Sequence, residues 1–186
     1  MKDIKILHCS DLHFDTPFSE LDKDFAEKRR EDLRETFGNI VNLAKKEEVD
    51  VLLICGDLFD NQRVMRTTLD YIRRKLEEIP EISVFIAPGN HDPYNEKTFY
   101  TMIDWPLNVH IFKSDMEAVY IEDKNITVYG QGFSEYYERE SFLKEFSSKF
   151  KINEKHINIM ALHGDISDRG KTNEYNPITP DRKSVV

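Results

Sequence analysis

Short apolar runs, each closed by a knot of polar residues, recur along this chain. Residues 4–9 (Ile-Lys-Ile-Leu-His-Cys) predict a first strand, which hands over to Ser10-Asp11-Leu12-His13. Residues 14–23 predict a loop punctuated by Pro17. From 24 to 48 the period lengthens. Leu33, Phe37, Ile40, Val41 and Ala44 recur at spacings of three and four, which predicts a helix that Gly38 weakens without ending. Residues 49–55 are apolar except for Asp50 and predict a buried strand. Gly56-Asp57 closes that strand, and Leu58-Phe59-Asp60-Asn61 continues as loop. A second helix is predicted over 63–78, with Met65, Leu69, Ile72 and Leu76 on one face and Pro80 beyond its end. Residues 82–87 predict a third strand ending in Pro88-Gly89-Asn90-His91-Asp92, and 96–103 a short helix.

After Pro106 the signals shorten. Brief strands are predicted at 109–112, 118–121 and 126–129, with Asp123-Lys124-Asn125 as a turn. Residues 136–150 predict a helix that packs through Phe142, Phe146 and Phe150. A last strand, 157–162, ends in His163-Gly164-Asp165. The stretch beyond Ile166 is polar, with Pro177 and Pro180. Residues 1–166 therefore read as one domain, and 167–186 as a loop or tail that need not be ordered. The opening alternation of strand and helix implies an α/β fold, a mostly parallel sheet with helices packed on it and right-handed crossovers. The later strands suggest mixed or antiparallel additions.

Composition refines this picture. Apolar residues make up 39% of the chain, with 12 Phe and 8 Tyr, enough for a substantial core. No run of about 18 apolar residues occurs, so no membrane span is expected. Met1-Lys2-Asp3 leads directly into the first strand without a signal-peptide pattern, so a cytoplasmic location is expected. Cys9 and Cys55 sit in apolar runs and read as buried free thiols, in keeping with a reducing compartment. The formal charge is −9, from 35 acidic and 26 basic residues. Proteins that grip nucleic acid by its backbone usually carry a basic face. Here the longest basic runs, Lys28-Arg29-Arg30 and Arg73-Arg74-Lys75, fall in expected helices among Asp and Glu. Strong autonomous DNA binding is not expected. A nuclease stays open, because bound divalent cations invert the local field.

The polar knots carry the chemistry. Asp11/His13, Asp57, Asn90/His91/Asp92 and His163 each follow an apolar run. Parallel strands would bring all of them to one edge, where ligands of open α/β sheets gather. Carboxylate and imidazole donors suit manganese, iron and zinc. One carboxylate can bridge two cations, and a pair about 3.5–4 Å apart can activate water and clamp a departing phosphoryl oxygen. The Asp-x-His spacing lets both side chains reach one ion. Gly56 and Gly89 allow close backbone approach, and Pro88 stiffens its turn. Alone, Asp-x-His, Gly-Asp or a single His163 says little, since each is common in turns and on surfaces. Gly-Asn-His-Asp is more specific, and the four in this order are far more so. His8 reads as a packed or hydrogen-bonded core residue, and His110 and His156 as structural or surface residues.

The strings Asp11-Leu12-His13, Gly56-Asp57-Leu58-Phe59-Asp60, Gly89-Asn90-His91-Asp92 and Leu162-His163-Gly164 resemble the motifs of the calcineurin-like metallophosphoesterase superfamily. Asp60 and Asn108-Val109-His110-Ile111-Phe112 are similar to its SbcD/Mre11-like DNA repair exonuclease branch. The resemblance runs from residue 4 to about 180. It implies a sandwich of mixed sheets flanked by helices and two divalent metal ions, Mn2+ first, with Fe2+, Zn2+ and Mg2+ as alternatives. It implies that Asp11 and His13 bind one metal, Asp57 bridges both, and Asn90 and His163 bind the other. His91 would stand near the leaving group or the non-bridging oxygens, with Asp92 orienting it.

The implied activity is hydrolysis of phosphodiesters by metal-activated water, as a DNA exonuclease. Implied partners are DNA as substrate, an SbcC/Rad50-like coiled-coil ATPase, and a second copy of the chain. The family's Gly-His-x-His element, one histidine for each metal, does not occur after His163. That departure raises the expectation of a C-terminally truncated domain with an uncovered sheet edge, or of a site completed by another chain. A catalytically silent metal-binding or interaction module and a small-molecule phosphodiesterase are the alternative readings.

Overall fold

A computed structural model describes residues 3–60, 64–144, 146–166 and 174–179. Its centre is a parallel sheet of strands β1 (Ile6–Cys9), β2 (Val51–Cys55), β3 (Ser83–Ala87) and β4 (Val109–Ile111), in that order. Register places Leu52 between Leu7 and Val84, and Ile54 between Cys9 and Ile86. Period two then divides the side chains. Leu52, Ile54, Val84 and Ile86 face the helices, whereas Val51, Leu53, Cys55, Phe85 and Ala87 face a second sheet. Burial on both faces explains why β2 reads as an unbroken apolar run.

Two helices cover the first face. Helix α1 (Lys23–Lys46) begins at Asp22, whose carboxylate accepts hydrogen bonds from the Asp24 and Phe25 backbone N–H groups. Lys45 and Lys46 lie in its last turn, where cations suit the helix dipole. Phe37, Val41 and Ala44 seat it on the sheet. Gly38 is buried there because Tyr71 crosses it: a Cβ would lie 3.3 Å from the Tyr71 hydroxyl, which donates to the Arg34 carbonyl. Helix α2 (Arg66–Glu77) has no cap from its own N-cap residue. Asp15, in the loop after β1, supplies one by accepting from the Met65 N–H and the Thr68 hydroxyl, each at 2.8 Å.

The second sheet holds β5 (Glu117–Ile121), β6 (Ile126–Gly130) and β7 (Ile157–Ala161). β5 pairs antiparallel with β6, and β7 runs parallel to it. The expected α/β fold of mixed sheets flanked by helices is therefore present. Ile126, Val128 and Ala161 pack on Phe85 and Phe112 between the sheets. On the outer side, Tyr129 and Met116 pack with Phe146.

Two expectations fail locally. The helix predicted over 136–150 does not form as one: among the described residues the stretch 136–141 is not helical, and only a 3₁₀ turn, Phe142–Lys144, and helix α3, Phe146–Lys149, follow. Glu138 is pulled into a bridge with Tyr175, and its carboxylate accepts from the Ser134 hydroxyl at 2.6 Å. Likewise the predicted helix at 96–103 shrinks to a 3₁₀ turn, Phe99–Thr101, fixed by the Thr98 side chain. Part of the polar stretch after Ile166 is packed. Asn176 is fully buried, donating through Nδ2 to the His163 carbonyl and accepting from the Phe142 N–H. Residues 167–173 and 180–186 lie outside the described residues. His8 is exposed on edge strand β1, not in the core, because the second sheet does not extend over that strand's outward face. Among the described residues, no helix is long and apolar enough to cross a membrane.

Candidate metal centre

The loops after β1, β2 and β3 lie side by side at the C-terminal edge of the first sheet. Backbone hydrogen bonds prolong the ladder past the strands: Asp11 N–H to Gly56 O, His13 N–H to Asp57 O, Gly56 N–H to Ala87 O. Asp11, His13 and Asp57 all adopt left-handed backbone, at φ 56, 46 and 50. Such conformations are costly for non-glycine residues and concentrate where a site demands a particular side-chain direction.

Asp57 is the hub. Its carboxylate is almost wholly buried, and Oδ1 accepts the His91 backbone N–H at 2.9 Å. Oδ2 lies 3.5 Å from His163 Nε2 and 3.7 Å from His13 Nε2. Burial works against its charge. The His163 imidazole and the His91 N–H outweigh burial and hold its carboxyl below the usual range. His163 responds in the opposite sense: burial disfavours its charge, but the carboxylates of Asp57 and Asp11 raise its pKa.

Two glycines make this approach possible. A Cβ on Gly89 would stand 2.2 Å from Asp57 Oδ1, and one on Gly56 (φ +89) would stand 1.9 Å from His163 Nδ1. The close backbone approach expected from the sequence is thus present at both positions.

Donor atoms of Asp11, His13 and Asp57 lie within 4.8 Å of one another, as do those of His13, Asp60 and His91. Asn90 is buried to 6% exposure, and its side chain makes no hydrogen bond among the described residues. Neither Lys nor Arg pairs with Asp11, Asp57 or Asp60 among the described residues. Carboxylates and imidazoles without a cationic side chain are a donor set that fits divalent metal. The arrangement can hold a phosphate ester only if cations first offset its own negative charge.

The neighbour of the His91 ring differs from the one expected. Asp92 does not touch the His91 ring. It is 2% exposed and accepts from the Gly89 N–H (2.7 Å), the Phe59 N–H (3.1 Å) and the Tyr100 hydroxyl (2.6 Å). Three donors converging on one carboxylate direct it into the protein, so it anchors the 88–92 loop from behind. Asp60 takes the place beside the histidine, with Oδ1 3.1 Å from His91 Nδ1. The sequence signal for Asp60 was its place in Gly-Asp-Leu-Phe-Asp, but its partner is set by two loops distant in the chain.

The profile for Calcineurin-like phosphoesterase matches residues 4–181. The chain belongs to this family. Members of this phosphoesterase family typically use divalent metals, as the donor groups here would allow. The chain is 30% identical to a Bacillus subtilis protein named "Uncharacterized metallophosphoesterase YhaO", across 97% of this chain and 45% of that one. It is 29% identical to the DNA double-strand break repair protein Mre11 of Saccharolobus solfataricus, across 68% of this chain and 32% of that protein. Identity to the Mre11 of Sulfurisphaera tokodaii is also 29%, across 88% and 41%. This phosphoesterase chain spans less than half the length of these curated relatives.

Proposed function

We propose that this chain is a metal-dependent phosphodiester hydrolase that acts on nucleic-acid ends, a DNA exonuclease of the SbcD/Mre11 type. The observation that carries the reading is the buried Asp57 carboxylate at the sheet edge, faced by His13 and His163 and flanked by Asp11 and Asp60, with no Lys or Arg partner among the described residues. Similarity to Mre11 proteins supports the nucleic-acid part.

In this reading Asp11 and His13 would hold one divalent ion, Asn90 and His163 the other, and Asp57 would serve both. Manganese is the first choice. When bound, such a pair supplies Lewis acidity and an activated water for attack at phosphorus. The chain's own residues do the rest. The His91 N–H fixes Asp57, and Gly89 keeps the space in front of Asp57 Oδ1 clear. His91 itself lines a cleft of about 440 Å³ together with Pro93, Asn95, Lys97 and Phe99. With Nδ1 turned to the Asp60 carboxylate, Nε2 is the nitrogen left to face the departing oxygen, and it would donate a proton there from the imidazolium form, which carries a proton on each nitrogen.

The test is manganese titration by calorimetry alongside hydrolysis of bis-p-nitrophenyl phosphate. Two bound ions, and turnover abolished in His91→Gln, are expected. Linear duplex DNA, single-stranded DNA and cyclic nucleotides then separate substrates. Absence of turnover at millimolar manganese, or preference for cyclic nucleotides, would overturn the exonuclease reading.

A further inference from the structure

Phosphate chemistry at His91 accounts for one part of a substrate, and a group of tyrosines beside it offers purchase on another. The Tyr136 ring lies 5.6 Å from the His91 ring. Tyr137 meets Tyr136 edge-on at 4.8 Å, and Tyr175 stands 6.2 Å from Tyr136 and 5.8 Å from Tyr137. Tyr137 nevertheless leaves 49% of its surface in solvent. Three aromatic rings contiguous with the reacting histidine, one of them open, are a stacking surface and not a closed core.

Charge points the same way. The chain carries a formal −9, and among the described residues Lys97 is the only Lys or Arg lining the cleft at His91. Glu135, next to the tyrosines, also lines it. A phosphate backbone tracked by cations would need several of them. Stacking of bases on aromatic rings needs none, and it tolerates any sequence because every base has a π face.

We propose that Tyr136 and Tyr137 form a stacking platform for the nucleobase next to the cleaved phosphodiester. The substrate end is then presented with an unpaired base, as in a single strand or a frayed terminus. This rests on the phosphodiesterase reading above, but it can fail separately. Selectivity comes from the base, whereas cleavage comes from the groups around Asp57.

The experiment compares the full chain with Tyr136→Ala/Tyr137→Ala and Tyr136→Phe/Tyr137→Phe. Two manganese-supported substrates are used: thymidine 5′-(p-nitrophenyl phosphate) and methyl p-nitrophenyl phosphate, which lacks a nucleoside. Binding of a fluorophore-labelled oligothymidylate is followed by anisotropy in EDTA, where no cleavage occurs. The alanine variant should raise KM for the nucleoside ester and weaken oligothymidylate binding by about tenfold or more, the size expected of base stacking. Its kcat, and both constants for the methyl ester, should stay near wild type, and the phenylalanine variant should behave as wild type.

An equal loss on both esters would mark the tyrosines as structural and overturn the proposal. So would unchanged or undetectable oligothymidylate binding, or tighter binding of the matching duplex. Tyrosine-dependent binding without turnover of either ester would sink the hydrolase reading and leave the platform standing. Turnover with tyrosine-independent binding would do the reverse.

Discussion

His91 Nδ1 lies 3.1 Å from Asp60 Oδ1, and the His13 ring meets the His91 ring edge-on at 4.9 Å. Asp60 therefore sets which His91 nitrogen faces the cleft. Asp60→Asn should lower kcat by roughly 10- to 100-fold, the usual effect of removing the partner that orients a working histidine. Manganese affinity should fall much less. Metal affinity falling in step with kcat in calorimetry would instead make Asp60 a ligand.

Gly89→Ala tests the crowding at the hub. Its Cβ would meet Asp57 Oδ1 at 2.2 Å and the Asp57 backbone nitrogen at 2.6 Å. The backbone nitrogen cannot swing aside and Oδ1 is held by the His91 N–H, so the loops must move apart. A stability loss of about 1–3 kcal/mol is expected, read by urea unfolding. Manganese affinity should drop by roughly tenfold or more.

Asp92 and Tyr100 form the anchor beneath the 88–92 loop. Tyr100→Phe leaves one Asp92 oxygen short of a donor and should cost about 1–3 kcal/mol. Asp92→Asn should cost more, because an amide NH₂ must then face a backbone N–H or the Tyr100 hydroxyl. Both variants are checked by chemical denaturation. If Asp92 acted mainly on His91, Asp92→Asn would lose turnover with stability intact.

Much of this fold was legible because its strands are short, apolar and separated by helical periods. Leu33, Phe37 and Val41 announced α1, and the Val51–Cys55 run announced a strand buried on both faces. The site was legible in its residue types and in the two glycines. Pairing was not legible. Whether Asp60 or Asp92 faces His91 depends on how two loops from separate strands dock, and both carboxylates are equally close in kind. The 136–150 stretch misled because helical periodicity is a local signal. Its backbone is claimed by residues 174–176, which return from far along the chain.

The two thiols give a pH signature. Burial pushes Cys9 up to about 11, and burial, aided by neighbouring Cys9, pushes Cys55 up to about 12. Both stay protonated in the folded protein while unfolded thiols ionise from about pH 8.5. The stability they contribute is complete below that value and is lost as pH rises toward 11 and 12. In EDTA, unfolding midpoints should decline over that range, less so in a Cys9→Ala/Cys55→Ala variant. Iodoacetamide at pH 8 should label both thiols only after denaturation.

Divalent metal should stabilise the protein, because Asp11 and Asp57 cluster at His13, and Asp60 beside it, with no Lys or Arg paired to them among the described residues. A ligand at a hundred times its Kd adds about 2.7 kcal/mol. Thermal unfolding should therefore shift upward with added manganese and return on chelation. An unchanged midpoint would show that no ion binds the folded state.

The hydrogen-bond ladder from Asp11 to Gly56 and from Gly56 to Ala87 has a consequence for biogenesis. The donors arrive at one height only when three strands, separated by two helices, have zipped in the correct frame. A slip of a single residue would carry a donor about 3.3 Å along the strand and turn its side chain to the opposite face. An ion held by these donors would thus be captured tightly only after the nascent sheet had locked into alignment.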